Sequence, residues 1–113
     1  MFNILHGSPG EDGKLAGYFD MLKIPYTTCD ALTSAITMNK GYTKAIVHDI
    51  PELFVARSFH VFKNTEEKRK EILHDLRLPL FVKPNNGGSS IGMTKVKDPG
   101  ELEEALVKAF AED

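Results

Sequence analysis

Apolar positions along the chain switch repeatedly between strand-like and helical spacing, and each switch predicts an element. Phe2 to Leu5 is a short apolar run that predicts a strand. The glycine-punctuated turn HGSPGEDG, His6 to Gly13, leads into Lys14 to Lys23, where Leu15, Tyr18, Phe19 and Leu22 recur at helical spacing before Pro25. Asp30 is placed to cap a helix through Ala31, Leu32, Ala35, Ile36 and Met38, and Asn39 restarts or continues it through Lys44 to Val47, ahead of Ile50-Pro51. Leu53 to Phe62 reads as extended, although Ala56-Arg57-Ser58 interrupts its alternation.

The second half is more sharply punctuated. Asn64 with Glu67 resembles a capping box, and the TEEKRKEILHDL stretch carries Ile72, Leu73 and Leu76 on one side with charge elsewhere, which predicts a solvent-facing helix. Leu80 to Lys83 and Met93 to Val96 predict two further strands. Asp98-Pro99-Gly100-Glu101 combines a capping Asp, Pro at the first helical position and Glu at the third, and Leu102, Ala105, Leu106, Ala109 and Phe110 then line one face. The pattern predicts an α/β (α+β) chain. Its small, largely antiparallel sheet comes from the strands near Leu53, Leu80 and Met93, flanked by the helices near Asn64 and Asp98.

Composition narrows the function classes. The 113 residues are at most one domain's length, and 42% apolar with 27% charged residues is ordinary for a folded globular chain. Fourteen Lys and Arg against 16 Asp and Glu give a net charge of −2, which argues against a nucleic-acid partner, because that partner requires a basic surface. No apolar run reaches the roughly 20 residues of a membrane span, and the N-terminus lacks signal-peptide character, so the expectation is a cytoplasmic chain with no membrane partner. Cys29 has no companion for a disulfide or a zinc site and reads as a small buried or half-buried hydrophobe. His48, His60 and His74 lack the spacing of a zinc site and read as surface residues.

The segment FVKPNNGGSSIGM, Phe81 to Met93, carries the candidate chemistry. A Walker loop places its lysine after the glycines at a helix start, whereas Lys83 precedes them and an extended segment follows; G-x-G-x-x-G is also absent. Two readings stay open. One is an ordinary hairpin turn rich in residues that accept positive φ. The other is a phosphate cradle in which the backbone N–H groups of Gly87, Gly88, Ser89 and Ser90 converge on oxygens while Lys83 adds a point charge. Lys-Pro beside paired Gly and paired Ser favours the second. Glu11 and Asp12 follow a glycine turn and suit helix capping better than metal binding.

The segments HGSPGEDG, IPYTTCDALTSAITMNKGYTK, LPLFVKPNNGGSSIGMTKV and ELEEALVKAF together resemble, in order and spacing, consecutive segments of the bacterial D-alanine-D-alanine ligases, which have the ATP-grasp fold. The most specific pieces are His6-Gly7 with Gly10-Glu11-Asp12-Gly13, Ser34-Ala35 with Met38-Asn39-Lys40, and Val82-Lys83-Pro84 with Gly88-Ser89-Ser90-Ile91-Gly92. The resemblance implies a ligase that uses ATP to phosphorylate one D-alanine carboxylate, after which the amine of a second D-alanine attacks the acyl phosphate to give the peptidoglycan dipeptide. It implies ATP-phosphate contacts for Lys40 and Lys83, phosphate closure by the loop around Gly88 and Ser90, an active-site hydrogen-bond role for Ser89, and a place near the first D-alanine for His6. Without it, Lys40 and Lys83 are ordinary exposed lysines, Ser89 is a turn residue and His6 is a strand-end histidine.

By the same resemblance, residues 1–29 are the last strand-helix unit of the ligase N-terminal domain and residues 30–113 the incomplete central ATP-grasp subdomain. The chain is then an internal piece, inactive alone, whose Mg2+ ligands lie outside it, and the parent can be a homodimer. Gly87 and Thr28 depart from the family, which often has Glu and Gly there. Two other readings are another ATP-grasp carboxylate-amine ligase and a non-catalytic phosphate-binding or structural module; HGSPGEDG argues against the former.

Overall fold

The computed structural model describes all residues from Met1 to Asp113. The chain forms two compact units, Met1–Leu53 and Phe54–Asp113.

The first unit is helical. Helix α1 (Lys14–Met21) starts at Gly13, whose φ of 86° no other residue adopts cheaply and whose position a Cβ would fill at 2.3 Å from the Ala31 carbonyl oxygen. It buries Ala16 and Phe19, with the Tyr26 ring 5.8 Å from that of Phe19. Helix α2 (Ala31–Met38) is capped as expected, the Asp30 carboxylate accepting from Thr33 N–H at 2.7 Å; that bond, first among its causes, lowers the Asp30 pKa. Asn39 both ends α2 and caps α3 (Lys40–Val47), accepting from Tyr42 N–H at 2.9 Å, so the helix restarts rather than continues. Cys29 is exposed, not buried, because it lies on the surface just ahead of the α2 cap.

Phe2 to Leu5 is not a strand. Its backbone finds single acceptors instead of a ladder: the Met1 ammonium donates to the Pro25 carbonyl, Asn3 N–H to Thr27 Oγ1 at 3.2 Å, and Leu5 N–H to the Asn3 side chain at 3.0 Å. An apolar run becomes a strand only when another segment pairs with it, and none does.

The second unit holds the sheet, and it has two strands rather than three. Strands β1 (Leu80–Val82) and β2 (Thr94–Val96) pair antiparallel, with Leu80 opposite Val96, Phe81 opposite Lys95 and Val82 opposite Thr94. The strand expected over Leu53 to Phe62 is absent. Phe59 and Val61 do pack against the core at the spacing of an extended chain, yet no strand forms over the segment, which Ala56-Arg57-Ser58 interrupts.

Leu80, Val82 and Val96 face the core, while Phe81 and Lys95 face outward with the Lys95 ammonium 5.7 Å from the Phe81 ring centroid. Helix α4 (Glu66–Asp75) contributes Ile72 and helix α5 (Leu102–Phe110) contributes Leu102, Ala105, Leu106 and Ala109; Leu102 and Val96 are wholly enclosed. Phe110, expected on that face, is more than a third exposed.

The caps are specific. Asp98 and Glu101 form the expected capping box on the 3₁₀ turn Pro99–Glu101 that opens α5, and the Lys97 and Asp98 N–H groups donating to Glu101 hold its carboxyl below the usual range. Helix α4 is capped by Thr65, one residue later than expected, through Lys68 N–H at 3.2 Å. Asn64 instead ties the helices together, accepting from Arg69 Nη1 at 2.6 Å and donating to the Glu103 carbonyl.

Candidate functional site

The β1–β2 connection is the glycine segment, and it is not helical. Lys83 leaves the end of β1 exposed, while Pro84 turns inward and is buried. The Pro84 ring is a platform for the loop. A Cβ on Gly87 would lie 3.2 Å from Pro84 Cβ, and one on Gly92, where φ is 70°, would lie 2.8 Å from both Pro84 Cγ and Glu112 Cγ. Only glycine fits position 92.

Two successive turns form the tip. Ile91 N–H donates to the Gly88 carbonyl at 3.2 Å, and the two residues between, Ser89 and Ser90, have φ of 48° and 58°, both positive as a type I′ turn requires. Met93 N–H then donates to the Ser90 carbonyl at 3.2 Å, with positive φ at Gly92 as its third residue, the pattern of a type II turn. Serine pays roughly 1–2 kcal/mol to adopt left-handed backbone, so two adjacent serines there are a strained feature. The Ser89 and Ser90 side chains are exposed, and their N–H groups donate to no protein acceptor.

The structure thus gathers Lys83, Gly88, Ser89 and Ser90 on one hairpin of the second unit. His6 and Lys40 belong to the first unit. His6 is exposed at the start of the HGSPGEDG turn, and Lys40 is the half-buried first residue of α3, with interactions of its own.

That turn is organised by its carboxylates, in a way capping does not describe. Glu11 accepts from Gly7 N–H across the turn. Asp12 accepts the Lys14 ammonium at 2.7 Å and the Ser8 hydroxyl at 2.6 Å, and its other oxygen takes Lys14 N–H at 3.2 Å. The Lys14 and Ser8 bonds, in that order, lower the Asp12 pKa from 3.8 to about 2. The N-cap position itself, Gly13, carries no side-chain cap.

Nowhere are three His, Cys, Asp or Glu side chains gathered as a metal would need. His48, His60 and His74 are exposed, as expected. An open cleft of about 490 Å³, lined by Phe62, Lys63, Asn64, Val107, Phe110 and Ala111, contains no residue of the glycine segment. Its mostly apolar wall offers a phosphate far less than the serine N–H groups do. No helix is long and apolar enough to cross a membrane.

The profile of the family "D-ala D-ala ligase C-terminus" matches residues 44–113, the stretch that includes β1, the glycine loop and β2. The chain belongs to this family. Among curated D-alanine–D-alanine ligases it is 47% identical over 108 residues to that of Parabacteroides distasonis, covering 96% of this chain and 32% of the relative. It is 45% identical to that of Flavobacterium psychrophilum, covering 98% of this chain and 34% of the relative. Among solved structures, it superposes on the VanG D-Ala:D-Ser ligase from Enterococcus faecalis with a TM-score of 0.85 at 43% identity, covering 97% of this chain and 32% of that one. The D-alanine-D-alanine ligase from Coxiella burnetii gives 0.83 at 32% identity, covering 99% and 32%.

The chain therefore spans about a third of the length of the ligases it matches. The ligase likeness bears out the ATP-grasp-type α+β expectation, with its small antiparallel sheet and flanking helices. Sequence reasoning missed two features of the site. One is the Ser8–Asp12–Lys14 cluster, whose i, i+4 and i+6 spacing within a turn carries no helical signature. The other is the hold of Asp113 on Asn86, between residues 27 apart.

Proposed function

We propose that this chain supplies the phosphate-binding hairpin of an ATP-dependent ligase that joins two D-alanines. The observation that carries the reading is the pair of strained serines, Ser89 and Ser90, offering unpaired N–H groups at the tip of a hairpin whose first strand ends in an exposed Lys83. Lys83 takes phosphate oxygens of ATP, and Lys40 is assigned the same role. The Gly88 and Ser90 backbone closes over them, and Ser89 places its hydroxyl in the active-site hydrogen-bond network. His6 lies by the first D-alanine.

ATP supplies the phosphoryl group that turns one carboxylate into an acyl phosphate; the amine of the second substrate then displaces phosphate from the acyl carbon, forming the peptide bond. The contribution of these residues is positioning and charge neutralisation, the terms that dominate phosphoryl transfer. The residues present do not fit Mg2+ as ligands, so in such a ligase the metal is held by other parts of the protein. Residues 1–29 close its N-terminal domain and residues 30–113 belong to the central subdomain. The working protein is cytoplasmic and homodimeric.

The test is a chimera in which this chain replaces the matching third of the Parabacteroides distasonis ligase. Lys83→Ala should lower kcat/KM for ATP by about 100-fold or more, while Lys70→Ala, an exposed lysine on α4, should change it less than about twofold. Equal effects of the two substitutions would return the loop to a plain structural hairpin.

A further inference from the structure

The loop does not hang only from its two strands. The Asp113 carboxylate, just past the end of α5, accepts from Asn86 N–H at 2.7 Å and from the Asn86 side-chain amide at 2.9 and 3.2 Å. An independent observation puts the same segment against the other end of the loop: the Gly92 backbone lies so close to Glu112 that a Cβ there would reach Glu112 Cγ at 2.8 Å. Glu112 and Asp113 thus grip the loop at Asn86 and at Gly92, on either side of the Ser89–Ser90 tip.

A carboxylate accepting both the backbone N–H and the side-chain amide of one residue is a charge-assisted contact, stronger than the neutral turn bonds of the tip at 3.2 Å. It also occupies the Asn86 donors, leaving Gly88, Ser89 and Ser90 as the amides open to a phosphate. We propose that Asp113 is a positioning residue: it fixes the Asn86 limb of the loop so that only the tip, Gly88 to Ile91, moves when a nucleotide binds. The proposal rests on the phosphate-loop reading above. It assigns Asp113 no contact with substrate.

Amide hydrogen exchange on the 113-residue chain, without nucleotide, tests the grip alone. Asp113→Ala should speed Asn86 N–H exchange by about tenfold or more, while Val82 and Val96 stay protected and report an intact core. Asp113→Asn keeps one acceptor oxygen and should recover part of the protection. Unchanged Asn86 exchange in Asp113→Ala overturns the proposal.

The chimera tests the consequence. Asp113→Ala should raise KM for ATP about tenfold with kcat nearly unchanged, Asp113→Asn should recover part of it, and adding Asn86→Ala should do no further harm, because both substitutions break one interaction. A loss in kcat with KM held, or additive effects, overturns the positioning role. A chimera that makes no dipeptide before any substitution defeats the ligase reading, while the exchange experiment still decides the grip.

Discussion

A single carboxylate shows how much one side chain organises a turn. Asp12 faces the Lys14 ammonium and the Ser8 hydroxyl, and both hold it ionised, with its pKa at about 2. Because the folded pKa is depressed, the stability this cluster contributes is present above the unfolded value of 3.8 and is lost as pH falls through about 2. A carboxyl-carbon NMR titration should therefore give a midpoint near 2 for Asp12, with Ser8 resonances following the same curve. In Lys14→Ala the midpoint should climb back toward 3.8, since the Lys14 bond is the largest cause. A wild-type midpoint at the ordinary carboxylate value would show that the cluster does not form in solution. Little of this was legible in the sequence: Glu11 and Asp12 stood out as a pair, but reading them as caps assumed that the helix begins beside them, and the left-handed Gly13 intervenes.

Helix ends were the most legible elements and isolated strands the least. Asp30 and Asp98 cap as expected, and Asn39 resolves to a cap of α3, because a cap is a local bond, made within three residues and indifferent to the rest of the fold. Thr65 displaces Asn64 because Arg69 and Glu103 engage the asparagine, a tertiary contact invisible to a four-residue pattern. Phe2 to Leu5 and Leu53 to Phe62 have strand-like composition, yet a strand exists only with a neighbour, and composition does not supply one. The apolar stripe of α5, by contrast, was readable at Leu102, Ala105, Leu106 and Ala109 because burial repeats every three to four residues. Leu102 is 1% exposed, so Leu102→Ala should cost about 2–5 kcal/mol. Val107, 58% exposed on the same helix, should cost about 0.5 kcal/mol or less when changed to alanine. Urea unfolding of the two variants compares them directly. Equal shifts would mean that α5 is not packed through the Leu102 face.

Across the whole chain, family membership was readable from four short segments, because three of them pair glycine or proline with polar residues whose chemistry restricts their use, and the fourth, ELEEALVKAF, follows at matching spacing. The individual roles of Lys40, Lys83, Ser89 and His6 rest on the same segments and on no contact that sequence spacing alone predicts. With no cluster of three metal-ligating side chains in the chain and about a third of a ligase's length present, the purified chain should form no D-alanyl-D-alanine and release no phosphate when given ATP, Mg2+ and D-alanine. A coupled phosphate assay checks this. Phosphate release that depends on D-alanine would mean that the chain carries a complete reaction centre.

The asparagine gripped by Asp113 is followed by Gly87, and that dipeptide has a chemical lifetime. When the Gly87 nitrogen attacks the Asn86 side-chain carbonyl, ammonia leaves and the resulting succinimide hydrolyses to aspartate or isoaspartate. Deamidation would set a second carboxylate against Asp113, where an amide now donates at 2.9 Å, replacing attraction with like-charge repulsion. While the grip holds, it also restrains the side chain from bending back onto its own backbone. Storage should therefore generate a more acidic species faster in Asp113→Ala than in wild type, by isoelectric focusing of samples aged at neutral pH. Equal ageing rates would mean that the grip lends the amide no protection. The contact that orders the loop is, on this account, also its clock.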